Sequence, residues 1–115
     1  MQREGANQQD MQVSDFICDF SLKPWDGQFP MVEGHQGSII SGDCLTIAYT
    51  EVVLNESSST PESYDCIMCL QETDLPGWAS PLSETAFICR QCIKRSAGRL
   101  HTDEDWDWRK PALDG

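Results

Sequence analysis

Cys66, Cys69, Cys89 and Cys92 form two Cys-x-x-Cys pairs separated by the nineteen residues from Leu70 through Ile88. A two-residue gap lets the chain turn so that both sulfurs of a pair face one point. A segment of nineteen residues can make a hairpin that returns the second pair opposite the first. This is the spacing of a four-sulfur zinc site, and the cofactor expected here is one structural Zn2+. Four sulfurs at about 2.3 Å complete a tetrahedron and leave no open position, so such an ion cannot activate water. Its contribution goes into folding, on the order of 10 kcal/mol in small zinc domains. The rival chemistry is thiol–disulfide exchange, but redox sites place one such pair at a helix start. A redox switch therefore stands only as a third reading.

Two cysteines remain. Cys18 and Cys44 have no neighbour at metal spacing, and His35 lies between them. Together they could make a second site, or the two thiols could pack as small apolar residues, as buried free cysteines do. His101 reads as an exposed residue before the tail. A disulfide framework would require secretion, yet the first 20 residues have no apolar core flanked by basic residues and a small-residue cleavage site. No stretch approaches the roughly 20 apolar residues needed to span a bilayer. The expected setting is cytoplasmic, without a membrane partner, where paired cysteines point to metal.

Enzyme readings find little support. A zinc deaminase needs a His-x-Glu element, and His35-Gln36-Gly37 does not supply it. No histidine between Cys66 and Cys92 could hold the catalytic metal of a cysteine-framed nuclease, and there is no nucleophile elbow or phosphate loop. The expected catalytic set is empty.

The elements that position these residues read as α+β: a small β-rich N-terminal module, then a four-cysteine treble-clef finger with a short C-terminal helix. Residues 1–13 are polar and aperiodic, read as a mobile leader. Within the 14–54 module, DFICDFSL alternates, with Phe16, Cys18, Phe20 and Leu22 on one face, the period of a half-buried strand. Phe29 to Val32 reads as a short extended piece among turns. CLTIAYTEVVL is rich in β-branched and aromatic residues and reads as a second strand. Residues 55–63, NESSSTPES, are small and polar, a linker. The finger spans 64–99. Its second pair opens a helix that Gly98 is placed to stop. The tail, 100–115, mixes acid with two tryptophans and is expected to have little structure of its own. No internal repeat is visible.

A knuckle, a hairpin and a knuckle opening a helix make the treble-clef arrangement. DCIMCLQETDLPGWASPLSETAFICRQCIKRSAG resembles the N-terminal zinc-binding domain of the ClpX unfoldases, notably in the apolar pair before the third cysteine and in FICRQCI at the helix start. More distantly it resembles the finger of the DksA and TraR regulators that bind RNA polymerase. The glycine common after the second cysteine of such fingers is Leu70 here. The ClpX resemblance implies a protein-docking platform that often dimerises, so a homodimer is possible. The DksA resemblance implies contact with transcription machinery.

Charge narrows the partner class. Of 115 residues, 19 are acidic and 8 basic, net -11; residues 1–65 carry -9, residues 66–99 carry +1 and residues 100–115 carry -3. Such a balance opposes general DNA binding, which rests on neutralising phosphates. Arg90, Lys94, Arg95 and Arg99 make one broad basic side of the expected helix. They read either as a nucleic-acid or phosphate stripe or as a solvated face paired with the acidic module. Trp78 reads as a cap on the finger core or as a binding anchor. Trp106 and Trp108, set among Asp103, Asp105 and Asp107, could dock into a basic groove of a partner or fold back on the chain's own surface. The function expected is a non-catalytic adaptor or inhibitor of a larger machine: RNA polymerase, a protease or a nucleic-acid enzyme with a basic channel. The runner-up is a nucleic-acid-binding regulator that uses the basic side.

Overall fold

A computed structural model of the chain describes residues 1, 2, 5, 12 and 15–112. Of the expected leader, residues 1–13, nine lie outside them. The architecture is α+β, with three small antiparallel hairpins and two helices. Strands β1 (Met31–Glu33) and β2 (Ile39–Ser41) pair with Val32 opposite Ile40. Helix α1 (Gly42–Ala48) follows and continues as a π-helical stretch over Tyr49–Leu54. Then come β3 (Tyr64–Asp65) with β4 (Glu72–Thr73), β5 (Gly77–Ala79) with β6 (Phe87–Cys89), and helix α2 (Arg90–His101).

Both strands expected in the first module give way to other structure. CLTIAYTEVVL is helical, because Ser41 caps the helix by accepting from the Cys44 amide at 3.3 Å, and Asp43 sits in the first turn where the helix dipole favours it. The buried residues Cys44, Leu45, Ala48 and Val52 recur at helical spacing and outweigh the β-branched composition. The Asn55 amide reaches the Thr50 carbonyl at 2.9 Å, the five-residue step of a π turn. DFICDFSL forms no strand beyond isolated bridges at Phe16 and Ile17. Cys18 and Phe20 are fully buried as the alternation implied, but the chain turns there and Leu22 is exposed. Helix α2 also runs through Gly98 to His101.

The chain does contain an internal repeat, with an offset of 48 residues. Leu22 and Leu70 both adopt a φ of 60°. The Leu22 amide donates to the Cys18 carbonyl at 2.9 Å and the Leu70 amide to the Cys66 carbonyl at 2.8 Å. The Cys18 amide meets the Lys23 carbonyl, as the Cys66 amide meets that of Gln71; the Asp19 amide meets the Ile39 carbonyl, as that of Ile67 meets Phe87. Ser41 and Cys89, the last residues of their hairpins, precede α1 and α2 with φ, ψ of -74°, 158° and -78°, 159°. The repeat escapes the sequence reading because its backbone hydrogen bonds do not depend on side-chain identity.

The two copies pack reciprocally. Phe20 of the first stacks on Trp78 in the second hairpin, ring centroids 5.6 Å apart, and its carbonyl accepts from the Ser80 hydroxyl at 2.5 Å. In the other direction the Met68 carbonyl accepts from the His35 amide at 2.9 Å, and a Cβ on Gly34 would lie 2.6 Å from that oxygen. Phe20 and Met68 are equivalent by the 48-residue offset. Such mutual contact is the signature of a two-fold relation. One apolar cluster runs across both copies, from Cys18 and Phe20 through Leu45 and Val52 to Ile88, Ile93 and Leu100. Within residues 55–63, Ser58 and Ser59 run along β5: Ser59 Oγ accepts from the Ala79 amide at 2.9 Å and the Ser59 amide donates to Gly77 at 3.0 Å.

Candidate metal centre

The candidate metal centre is built by the second copy. The turn at Cys66–Cys69 is closed by the Leu70 amide on the Cys66 carbonyl, and β6 delivers Cys89 to the N-cap of α2 with Cys92 in its first turn. The sulfurs of Cys66, Cys69, Cys89 and Cys92 lie within 4.8 Å of one another, with three of the residues buried and Cys69 half-buried. A tetrahedron with 2.3 Å bonds has edges of about 3.8 Å, so the four sulfurs need only small adjustments to close on one ion. They are close enough to hold a metal ion, and the all-sulfur donor set suits a soft or borderline one. The Cys66 thiol is held far below the ordinary thiol range because the thiols of Cys89 and Cys92, and then the amides of Cys89 and Cys69, donate to it. The Cys89 amide lies 3.4 Å from that sulfur. Correspondingly, Cys92 is pushed up by donating to Cys66 and Cys89. One sulfur is thus already suited to negative charge. Tyr64, raised to about 12 mainly by burial, packs against Phe87 and donates to the Leu75 carbonyl at 2.8 Å, closing the base of the hairpin.

A groove of about 420 Å³ opens beside Cys69 and Cys92, lined also by His35, Met68, Arg95 and Arg99. His35 therefore stands beside this centre; it is exposed, on the loop that joins β1 to β2. Arg90, Lys94, Arg95 and Arg99 occupy the half of α2 opposite the buried Cys92, Ile93, Ser96, Ala97 and Leu100. Among the described residues none of the four is in an ion pair. Arg95 and Arg99 instead face the groove where a four-thiolate centre around a divalent ion would carry about two negative charges.

The tryptophans turn inward. Trp78 is 4 % exposed and belongs to the interior, so it offers no docking anchor. Trp106 and Trp108 are half-buried against the core, and Trp108 Nε1 donates to Thr46 Oγ1 at 2.9 Å and to the Gly42 carbonyl at 3.1 Å. A Cβ on Gly42 would come within 3.2 Å of the Trp108 ring, so the glycine makes room for it. The tail thus folds back over α1. Asp105 and Asp107 remain exposed and Asp103 half-exposed, its carboxylate accepting from the Asp105 amide at 2.9 Å. His101 is half-buried and its Nδ1 accepts from the Lys110 amide at 3.0 Å, pinning the tail's return.

Sequence reasoning singled out Cys18 and Cys44 but left Ser21 and Ser41 unremarked. The structure brings all four together. The Cys44 thiol hydrogen-bonds the Cys18 sulfur, which also accepts from the Ser41 amide at 3.3 Å and the Ser21 amide at 3.4 Å. The overlooked signal was spacing: Ser21 and Ser41 stand to Cys18 and Cys44 as Cys69 and Cys89 stand to Cys66 and Cys92.

No protein-family model, curated protein or solved structure matches this chain. The resemblance to the ClpX and DksA fingers rests on the quoted segment, and the supported part of it is the four-thiol cluster. Among the described residues no helix is long and apolar enough to cross a membrane.

Proposed function

We propose that the chain is a non-catalytic zinc protein that acts as an adaptor or inhibitor, docking on a larger machine through protein–protein contacts. The observation that carries this reading is the convergence of four protein thiols on one point, a donor set that saturates a tetrahedral ion. Zinc is the ion of choice because four thiolates in tetrahedral array match its preferred structural site. A treble-clef description fits the order of turn, hairpin and helix-borne second pair. The partner is basic: net charge is -11, and the folded-back tail turns its rings inward while Asp105 and Asp107 stay exposed. RNA polymerase, or a protease or nucleic-acid enzyme with a basic channel, meets that description.

The test is binding of purified RNA polymerase and of such enzymes at low salt and at about 1 M salt, where screening reaches within about 3 Å. Strong loss of binding at high salt, and weakening by Asp105→Asn with Asp107→Asn, are expected. Salt-independent binding that ignores both substitutions would refute the electrostatic docking. Stoichiometric zinc in freshly purified protein is the second requirement.

One observation favours a nucleic-acid-binding regulator instead: the basic half of α2 borders the groove and is in no ion pair among the described residues. Retention of DNA or RNA in a low-salt shift assay, lost on Arg95→Glu with Arg99→Glu, would select that reading.

A further inference from the structure

The first copy of the repeat carries, at every ligand position of the second, a side chain with a polar atom: Cys18 for Cys66, Ser21 for Cys69, Ser41 for Cys89 and Cys44 for Cys92. Each set brackets nineteen residues between its inner members. Burial follows the same order in both, the second member half-buried and the other three buried. The hydrogen bonds match as well. Cys66 Sγ accepts from the Cys89 amide at 3.4 Å, and Cys18 Sγ accepts from the equivalent Ser41 amide at 3.3 Å. The amides of Cys69 and Ser21, and the thiols of Cys92 and Cys44, donate to the same two sulfurs.

A second groove, of about 320 Å³, reports the symmetry independently. Its walls include Asp19 and Ile67, Leu22 and Leu70, and Ser38 and Ala86, each pair 48 residues apart, as expected of a groove on the local two-fold axis. The equivalence therefore extends beyond the knuckles to the way the copies face each other.

We propose that Cys18, Ser21, Ser41 and Cys44 form a latent metal site, a backbone shaped for tetrahedral zinc in which hydrogen bonds to the Cys18 sulfur replace the ion, and that thiols at positions 21 and 41 confer zinc binding there. The chemistry explains why the present side chains do not bind. Zinc ligands must be deprotonated, and a serine hydroxyl keeps its proton near neutral pH, so two thiols and two alcohols cannot close the shell. The same alcohols are good donors: both hydroxyls help to lower the Cys18 thiol, the amides of Ser21 and Ser41 donate to its sulfur, and Ser41 Oγ accepts from the Cys44 amide at 3.3 Å, satisfying a helix-terminal donor. One serine thus caps α1 and occupies the position of a metal ligand.

The test is metal stoichiometry in the full chain. Protein with Ser21→Cys and Ser41→Cys, loaded with zinc and desalted, is expected to hold two ions against one in the parent, and cobalt loading should double the thiolate-to-metal absorption. A folded double variant that still holds one ion overturns the proposal. So does a parent that takes up two, since the alcohols would then be ligands already. Should the double variant fail to fold, Ser41→Cys alone decides through cobalt titration. A second cobalt with three-sulfur absorption supports the latent site, and its absence overturns it.

Discussion

In the first copy the sulfur of Cys18 gathers donors from Ser21, Ser41 and Cys44; in the second the sulfur of Cys66 meets three other sulfurs at the same backbone positions. The turns, the hairpin and the helix start superpose in hydrogen-bond pattern, yet one copy is closed by hydrogen bonds and the other is arranged to close on an ion. If the first copy holds no ion, as its two alcohols argue, this backbone does not itself require metal. What it requires is that the two knuckles be held together, by a net hydrogen-bond energy of about 1 kcal/mol per bond or by a metal contribution roughly ten times larger. The hydrogen-bonded copy also has help from its neighbour, because Phe20 is buried under Trp78 of the second hairpin.

The sharpest way to break the comparison is to change equivalent residues. Cys92→Ser removes a ligand and is expected to lose the metal and on the order of 10 kcal/mol, as much as the whole stability of a domain this size. Cys44→Ser, its counterpart 48 residues earlier, removes one hydrogen bond and some packing and should cost about 1–3 kcal/mol while zinc content stays unchanged. Metal analysis and urea unfolding of both variants read this directly. Equal costs would mean that the two copies are held the same way.

Next in size is the joint between the copies. Trp78→Ala should cost about 3–5 kcal/mol, since it empties the site against which Phe20 stacks. Val32, opposite Ile40 as Trp78 is opposite Ile88, holds the same place in the register of the first hairpin, 46 residues earlier because its loop is two residues shorter, and Val32→Ala should cost only about 2 kcal/mol. Thermal unfolding followed by fluorescence and circular dichroism should show a single transition in each case, because one apolar cluster spans both copies. Two separated transitions would show that the copies fold independently.

The four-thiol cluster was legible because metal chemistry demands particular residues at particular spacing. Four cysteines can be read from a sequence without any knowledge of the surroundings, and α2 after Cys89 follows from helix-forming residues. The first copy was illegible for the complementary reason. Hydrogen bonds to Cys18 come partly from main-chain amides, which leave no mark in the sequence, and serine at positions 21 and 41 is too common to signal anything alone. Thr46, Ile47, Thr50, Val52 and Val53 suggested a strand, but the Ser41 cap and the buried spacing of Cys44, Leu45, Ala48 and Val52 decided for helix. Tail tryptophans presented another ambiguity, resolved by Thr46 and the Gly42 carbonyl, the partners for the Trp108 indole that composition could not reveal.

A pH series sharpens the comparison further. Cys18 is lowered from 9.0 to about 4, first by the Cys44 thiol, against burial, and then by the hydroxyls of Ser21 and Ser41; Cys44 is raised because Cys18 holds its proton. A lowered folded value gives stabilisation that is complete above the unfolded pKa and lost as pH falls through the folded one. A raised value acts in the opposite sense, so its contribution is lost as pH rises through its folded value. The pair therefore stabilises most near pH 9, increasingly so from about pH 4 upward. The stability difference between the parent and Cys44→Ala, both kept zinc-loaded, should widen steadily between about pH 6 and pH 9. A difference that stays flat would mean that the two thiols do not share a proton.

The smallest expected effect comes from the knuckle tips. Leu22 and Leu70 both hold a φ of 60° with their side chains largely exposed, in a region that costs a residue with a Cβ about 1 kcal/mol or more. Glycine would relieve that strain but would also gain conformational freedom in the unfolded chain, an opposing effect of similar size. Leu22→Gly and Leu70→Gly should each change stability by no more than about 1 kcal/mol. What discriminates is their likeness, because the same backbone should answer the same substitution equally whether or not a metal lies beneath it. Matching shifts in denaturant midpoint would confirm that both knuckles share one geometry. A gain at position 70 with a loss at position 22 would show that the metal, and not the fold, sets the left-handed turn.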